Sequence, residues 1–322
     1  MTESELQEAT LPKYEESSSD MLRDRIVILG RQAAGKTVYL SLLYELLWKS
    51  NGDLNMKAIH GKHHREFIRT AMKLRQGQWP ASTIGNRTTY IEIKYKGLDR
   101  LMVAMDYSGE LINKAFVSEE DTDEVQGLLN HLDHAAGVML LVDPADVTGH
   151  SASFDSTVEN DFGIVQAMER LRKWPGGTDV PLVLVLTKVD ETGRLLKKYG
   201  GTGTFCQKFF PKLIHTVTNL KVCTVSAVQT INNSREIKSG FVPTNLETPL
   251  RYCLDMISES EKFAVREKMQ KLNIQKMKRQ IKRDRIISWC IITVIAAAIA
   301  ILVYYVLTII WPDLLDKWIL GS

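Results

Sequence analysis

The chain has 322 residues, 44% of them hydrophobic and 25% charged, which predicts one sizeable folded domain with appendages. Its four cysteines are far apart in sequence, which excludes a disulfide framework or a cysteine metal site and fits reduced thiols in the cytosol. The net charge is +3, but residues 266–285 carry nine basic and two acidic side chains, a charge of 9 − 2 = +7. The rest of the chain therefore carries 3 − 7 = −4. This mildly acidic charge gives no argument for nucleic-acid binding.

Residues 1–22 form an acidic beginning with little to bury. The first 20 residues hold six acids against Lys13, and they include three consecutive serines at 17–19. This composition predicts a disordered tail. Because no basic segment followed by an apolar one opens the chain, we predict no signal peptide.

The next segment, residues 26–37, reads IVILGRQAAGKT, an apolar strand that runs into a phosphate-binding loop pattern. Its two glycines let the backbone curl so that successive N–H groups point at phosphate oxygens, and a helix predicted from Thr37 to Trp48 adds its positive N-terminal end. Lys36 can reach the β- and γ-phosphates, and the Thr37 hydroxyl can coordinate Mg²⁺. The predicted nucleotide-binding residues are Gly30, Arg31, Gln32, Ala33, Ala34, Gly35, Lys36, Thr37 and Val38.

A long connection follows, near residues 51–80. Within it, HREFIRTAMKLRQ (residues 64–76) predicts an extra helix with Phe67, Ile68 and Met72 on one side. The HGKHH segment at its start could bind a metal, but we predict a solvated loop.

Two later strands end in carboxylates. LMVAMDYSGE (residues 101–110) ends in Asp106-x-x-Gly109, where the carboxylate can hold Mg²⁺ through a water and the Gly109 N–H can sense a γ-phosphate. LVLVLTKVD (residues 182–190) ends in Thr187-Lys188-Val189-Asp190. Asp190 can pair with the N1–H and N2–H₂ edge of guanine, which adenine lacks, and the Lys188 stem can lie over the base.

The last strand of interest, VCTVSA (residues 222–227), brings backbone N–H groups near Ser226 and Ala227 to a place where they could meet guanine O6. Ligands of open parallel sheets bind at such strand ends, so the order of these segments favours a single nucleotide site. The alternative is that Asp106 and Asp190 only cap turns after their strands.

In this order, the motifs resemble those of Ras-like, translation-factor-related P-loop GTPases over about residues 24–258. AAGVMLLVD (residues 135–143) is also similar to the central strand of that class. The resemblance implies an α/β fold in three α/β/α layers, with a mostly parallel six-stranded sheet and a Mg²⁺-dependent GTP/GDP switch. Thr187 stands where Asn is commoner, and the Trp-Pro-x-x-Thr segment that ends at Thr83 is similar to larger bacterial-type members of the class.

Two positions decide the chemistry that this resemblance implies. Glu110 stands where the class usually has its catalytic glutamine; an ionised carboxylate only accepts hydrogen bonds and adds negative charge near phosphate, so we expect slow hydrolysis that a partner or dimerisation accelerates. The first switch must supply a threonine, and we favour Thr83 over Thr88 or Thr89. The predicted catalytic residues are Lys36, Thr83 and Glu110, and the predicted metal ligands are Thr37, Thr83 and Asp106.

The C-terminal part predicts a helix that leaves the domain and enters a membrane. Residues 286–311 contain no charged side chain over 311 − 286 + 1 = 26 residues, against roughly 20 that are needed to cross the hydrocarbon layer. The basic segment before them puts the GTPase domain in the cytoplasm by the positive-inside rule and attracts anionic headgroups.

These features predict a tail (1–22), a GTPase domain (23–258), a basic juxtamembrane helix (259–285), a transmembrane helix (286–311) and a short end (312–322). The predicted function is a GTP-hydrolysing switch that controls an unidentified effector or activator at a plasma (inner) membrane or an organelle membrane. The alternatives are a non-catalytic, GTP-bound scaffold or receptor and, disfavoured by Asp190, an ATP-driven machine. Pairing of the basic helices into a homodimer is a further open alternative.

Overall fold

The computed structural model describes residues 23–31, 33–81, 88–105, 109–116, 118, 121–150, 164–173, 180–231 and 236–310. The chain divides into two compact units, Met1–Ser260 and Glu261–Ser322.

The first unit is built on a mostly parallel sheet whose strand order is β2-β3-β4-β1-β5-β6-β7. Strand β1 pairs in parallel with β4 and β5, and β5-β6-β7 continue in parallel, whereas β2-β3-β4 are antiparallel. The strands are β1 (Arg25–Gly30), β2 (Leu54–Ala58), β3 (Thr88–Tyr95), β4 (Leu98–Met105), β5 (Ala135–Val142), β6 (Leu182–Leu186) and β7 (Leu220–Thr224), with a separate small pair, β8 (Thr230–Ile231) and β9 (Glu236–Ile237).

The mostly parallel α/β sheet is confirmed, but the expected number of six strands is wrong, because the main sheet has seven strands among the described residues. The additional strand is β2, which lies at the antiparallel edge inside the long connection. Leu54, Met56 and Ala58 alternate with more exposed residues along it, which is the pattern of a strand with one buried face.

Helices cover both faces of the sheet because its strands are apolar on both sides. In β1, Ile26 and Ile28 belong to one core cluster, and Val27 and Leu29 belong to the other. The helices are α1 (Lys36–Leu47), α2 (Gly61–Arg75), α3 (Gly109–Phe116), α4 (Asp123–Asp133), α5 (Pro144–His150), α6 (Ile164–Lys173), α7 (Val189–Lys198), α8 (Thr202–Phe209), α9 (Pro211–Thr216) and α10 (Thr248–Ile310). Helices α1, α2 and the beginning of α10 supply one outer layer, and α3 to α9 supply the other.

Helix α2 corrects two expectations about the long connection. Its inward side carries Phe67, Ala71 and Leu74, while Met72 is 55% exposed instead of facing the core. The HGKHH segment lies at the beginning of this helix and not in a solvated loop. The Tyr44 hydroxyl lies 2.7 Å from His64 Nδ1, and the His64 ring packs edge-on against Trp48.

Helix α10 begins in the first unit and continues through the second. In the first unit it packs closely on β5, since a Cβ at Gly137 would lie 2.7 Å from Cys253 Sγ. In the second unit, its described side chains are mostly exposed. By length and composition, the helix can cross a membrane: it contains an 18-residue window with a mean hydropathy of 2.8, none of it buried.

The cysteines of the first unit are free and buried. Burial raises the pKa of Cys206 to about 11 and the pKa of both Cys223 and Cys253 to about 12. These side chains therefore act as neutral packing groups at physiological pH.

Candidate functional site

The loop between β1 and α1 has backbone constraints that its glycines satisfy. Gly35 precedes α1 with φ 85°, in the left-handed region, where a side chain costs free energy. A Cβ at Gly30 would lie 2.6 Å from the Leu141 carbonyl oxygen, so this position needs glycine to let β1 approach β5. Ala33 also has a positive φ, 63°, which is uncommon outside glycine. The loop is therefore tightly curled, as the sequence pattern predicts.

Lys36 is held against this loop from the first turn of α1. The side chain is buried, and its Nζ donates to the carbonyl oxygens of Gly30 at 2.6 Å and Arg31 at 2.9 Å. Neutral carbonyls stabilise the ammonium without cancelling its charge, which suits an anion site at a helix N-terminus. The Arg31 guanidinium lies 3.4 Å from Asp146 of α5.

The segment after β6 connects to the phosphate loop through Thr187. The buried Thr187 Oγ1 lies 2.9 Å from the Ala34 carbonyl oxygen and 3.2 Å from the Val142 carbonyl oxygen. Lys188 follows with a left-handed backbone, φ 55° and ψ 38°, and its Nζ lies 2.7 Å from Asp143 Oδ2. Thr187 thus links the predicted base-reading segment to the predicted phosphate-binding segment.

Asp190 is oriented by its neighbours. Its Oδ1 accepts from the Ser226 hydroxyl at 3.0 Å, and its Oδ2 accepts from the Thr230 N–H at 3.2 Å. Ser226 also forms an isolated bridge with Thr244, which fixes the backbone there. The two predicted base-reading segments therefore meet.

A cavity of about 760 Å³ joins these parts, a volume typical of small-molecule sites. Residues from three of the predicted motifs line it: Ala33, Ala34, Gly35, Lys36, Thr37 and Val38 from the phosphate loop, Thr187, Lys188 and Asp190 from the segment after β6, and Ala227 from the segment after β7. The parallel sheet explains this convergence, since β1, β6 and β7 run in the same direction and end at the same edge.

The remaining predicted residues fall into three groups. Gly30, Arg31 and Ser226 are bonded to or adjoin lining residues without lining the cavity themselves. Gly109 and Glu110 begin α3, and Thr88 and Thr89 begin β3. Gln32, Thr83 and Asp106 lie outside the described residues.

The cavity also has lining residues that the sequence analysis did not select. Trp79, Pro80 and Ala81 come from the end of the long connection, and Asp143 follows β5. Asp143 could have been found, because it follows a fully apolar strand in a parallel sheet, where ligands bind. Trp79 begins the Trp-Pro-x-x-Thr segment, in which the sequence analysis selected only the threonine as a site residue. The other unselected lining residues are Tyr39, Glu191, Val225, Val228 and Thr230.

The curled phosphate loop with its buried lysine, together with the parallel sheet behind it, is the arrangement of P-loop GTPases, and the chain is similar to proteins of that class. Within that class, residues 27–186 match the family model described as Double-GTPase 1, so the chain is similar to double GTPases from β1 to the end of β6. No curated protein matches the chain.

Several solved structures are similar in outline. A nucleolar GTP-binding protein 1 from Plasmodium falciparum has a TM-score of 0.44 and 11% identity, over 80% of this chain and 98% of its own. An ADP-ribosylation-factor-like GTP-binding protein (small COPII coat GTPase) from Encephalitozoon cuniculi, solved with GDP, has a TM-score of 0.38 and 16% identity, over 75% and 82%. A signal recognition particle receptor complex from Chaetomium thermophilum has a TM-score of 0.33 and 14% identity, over 66% and 94%. Likeness at this level does not bear on function.

Proposed function

We propose that the chain is a membrane-anchored, Mg²⁺-dependent GTP switch that hydrolyses GTP slowly and controls a partner protein at the membrane. One observation carries the nucleotide part of this proposal: Lys36 of the phosphate loop and Asp190 of the base-reading segment line the same cavity. A cation suited to phosphates and a carboxylate suited to guanine are the two recognition groups that a guanosine phosphate requires.

The chain's own residues supply positioning and charge. Lys36 and the loop N–H groups offset the negative charge of the phosphates, and water is the nucleophile. Asp190 selects guanine because its oriented carboxylate accepts from the N1–H and N2–H₂ groups. When bound, Mg²⁺ neutralises charge on the phosphate oxygens; Thr37, which lines the cavity, and Thr83 and Asp106 are its proposed ligands.

Slow hydrolysis follows from Glu110, the second residue of α3. A carboxylate in place of glutamine cannot donate a hydrogen bond while it orients the attacking water. We therefore propose that an activating partner or a second copy accelerates the reaction. The same residue favours the second candidate, a GTP-bound scaffold that does not turn over.

The membrane part of the proposal is supported by α10 and by the charge of the segment before its apolar part. Nine basic side chains at residues 266–285, with only two acids among them, favour a cytoplasmic orientation of this side under the positive-inside rule. The inner (plasma) membrane is the proposed location, and the cytosolic face of an organelle is the alternative. Nucleic acid is not a proposed partner.

The test uses the full-length chain in nonionic detergent. We expect GTP and GDP to bind far more tightly than ATP, and Asp190→Asn to shift the preference toward xanthosine nucleotides, because an amide donates to the additional oxygen of xanthine. Equal affinities for ATP and GTP in the unchanged chain would contradict the guanine assignment. Multiple-turnover phosphate release, measured with vesicles present, separates the two candidates: no release above background favours the scaffold.

A further inference from the structure

A second carboxylate in the cavity has both of its oxygens engaged. Asp143 follows β5, and its side chain is only 13% exposed. Its Oδ2 lies 2.7 Å from the Lys188 Nζ, while its Oδ1 accepts from the Ala145 N–H at 2.9 Å. The bond to the first turn of α5 fixes the carboxylate, and the carboxylate in turn fixes the ammonium.

Lys188 is the residue that gains most from such a fixed partner. Its backbone is already held, because its carbonyl oxygen accepts from the Thr192 hydroxyl at 2.9 Å within α7. Its side chain is 35% exposed and has a flexible four-carbon stem, so without an ion-pair partner the ammonium can leave the cavity for solvent. A charge-assisted bond at 2.7 Å removes that freedom.

We propose that Asp143 is a positioning residue for guanine nucleotides. By holding the Lys188 ammonium, it keeps the apolar stem of Lys188 along the wall of the cavity, where the stem can cover the face of the base. Both residues line the cavity together with Asp190, which supports a shared role at the base-binding end. This inference rests on the proposed function.

Two other roles of the Asp143–Lys188 ion pair must be distinguished by experiment from the positioning role. If Asp143 instead keeps Lys188 away from the nucleotide, removing its charge would tighten binding. If the pair serves only the fold, removing its charge would lower stability and leave the affinity of the folded chain unchanged. The positioning role predicts weaker binding that depends on the Lys188 ammonium.

The test compares Asp143→Asn, Lys188→Met and their combination in the full-length chain in detergent. Asparagine keeps the oxygen that accepts from Ala145 and removes the charge, while methionine keeps an apolar stem and removes the ammonium. Asp133→Asn is the matched control, because Asp133 has the same 13% exposure and pairs with Arg170 at 3.1 Å but does not line the cavity.

We expect Asp143→Asn to weaken GDP binding by about tenfold, the factor that one charge-assisted hydrogen bond supplies. The affinity for inosine diphosphate should fall by the same factor, because Asp190 still recognises the base of both nucleotides. In the Lys188→Met background, Asp143→Asn should have no further effect. Asp133→Asn should leave the affinity unchanged.

Unchanged or tighter GDP binding by Asp143→Asn, or the same loss in the Lys188→Met background, would overturn the positioning role alone. Absence of GDP binding by the unchanged chain would overturn the proposed function and this inference together.

Discussion

Asp190 has a donor on each carboxylate oxygen, the Ser226 hydroxyl and the Thr230 N–H. Ser226 Oγ also lies 2.9 Å from the Val228 carbonyl oxygen. The hydroxyl can therefore turn its proton to Val228 and accept from an amide at position 190. This second partner explains why Asp190→Asn is expected to change base preference without unfolding the site.

His131 gives a prediction about pH at the residue scale. Its Nδ1 lies 3.0 Å from Arg25 Nη1, and its Nε2 lies 3.4 Å from the Tyr90 hydroxyl. Burial first, and then the charges of Arg25 and His134, lower the pKa of His131 from 6.5 to about 4. The folded chain therefore keeps this ring neutral at pH values where the unfolded chain protonates it.

The consequence is a loss of stability toward acid. Because the unfolded state takes up a proton at His131 below about pH 6.5 and the folded state only near pH 4, stability falls as the pH is lowered through that window. Urea unfolding of the full-length chain should show a shallower fall for His131→Asn than for the unchanged chain. The exposed His215, changed to Asn, should leave the slope unaltered. Parallel curves for all three chains would contradict the assignment.

Sequence patterns predict single residues well where covalent geometry or charge dictates the residue type. Gly30 and Gly35 are required by a close approach and a positive φ, so the pattern alone identifies the loop. The position of Asp143 at a strand end is visible in the sequence, but its ion pair with Lys188 is not, because that contact follows from the adjacent pairing of β5 and β6. Spacing along the chain carries no information about that contact.

At the scale of elements, the sequence predicts most closely the bounds of strands that are buried on both faces of the sheet. Strands β5 and β6 are buried at every residue, and their bounds follow the apolar run. Strand β2 was missed because only three apolar residues alternate in it. The strand with which it forms hydrogen bonds, β3, lies more than thirty residues later in the chain. Short edge strands take their stability from such pairing and leave a weak local signal.

Helix α2 provides the prediction for this scale. Leu74 is fully buried in the cluster that α1 and α2 share, while Met72, two residues earlier, is 55% exposed. Leu74→Ala should destabilise the chain by about 2 to 5 kcal/mol through lost burial and a cavity. Met72→Ala, the matched change on the outer side, should alter the free energy of unfolding by less than about 0.5 kcal/mol. Urea unfolding measures both, and equal effects would contradict the observed helix orientation.

The beginning of α10 is tied to the antiparallel edge of the sheet. Asp255 Oδ1 accepts from the Tyr95 hydroxyl and from Lys96 Nζ, both at 2.8 Å, and Arg251 Nη1 pairs with Asp53 at 3.0 Å. The hydrogen bond from Lys96 lowers the pKa of the Asp255 carboxyl from its ordinary value. The strand pair β3–β4, which borders the proposed switch segments, is therefore bonded to the helix that continues into the second unit.

At the scale of the whole molecule, the two units differ in how far their apolar side chains are buried. The first unit buries its apolar residues in two clusters, whereas the apolar side chains of the second unit from Ile286 to Val306 are largely exposed. Exposed apolar surface on that scale is unfavourable in water, at roughly 25 cal/mol for each Å². Transfer into a hydrocarbon layer removes this cost. A helix can enter the layer because its interior backbone N–H and C=O groups are hydrogen-bonded within the helix.

Membrane insertion is therefore the prediction at this scale. Ala298 lies near the centre of residues 286–311, and Ala298→Arg places a charge there at a cost of about 2.5 to 3.5 kcal/mol on insertion scales. We expect the full-length chain to stay with membranes after alkaline carbonate extraction and the variant to be extracted in a larger fraction. Ser322→Arg, which adds the same charge outside the apolar segment, should extract like the unchanged chain. Complete extraction of the unchanged chain would show that α10 does not span a membrane and would leave the nucleotide site as the part of the proposal that stands.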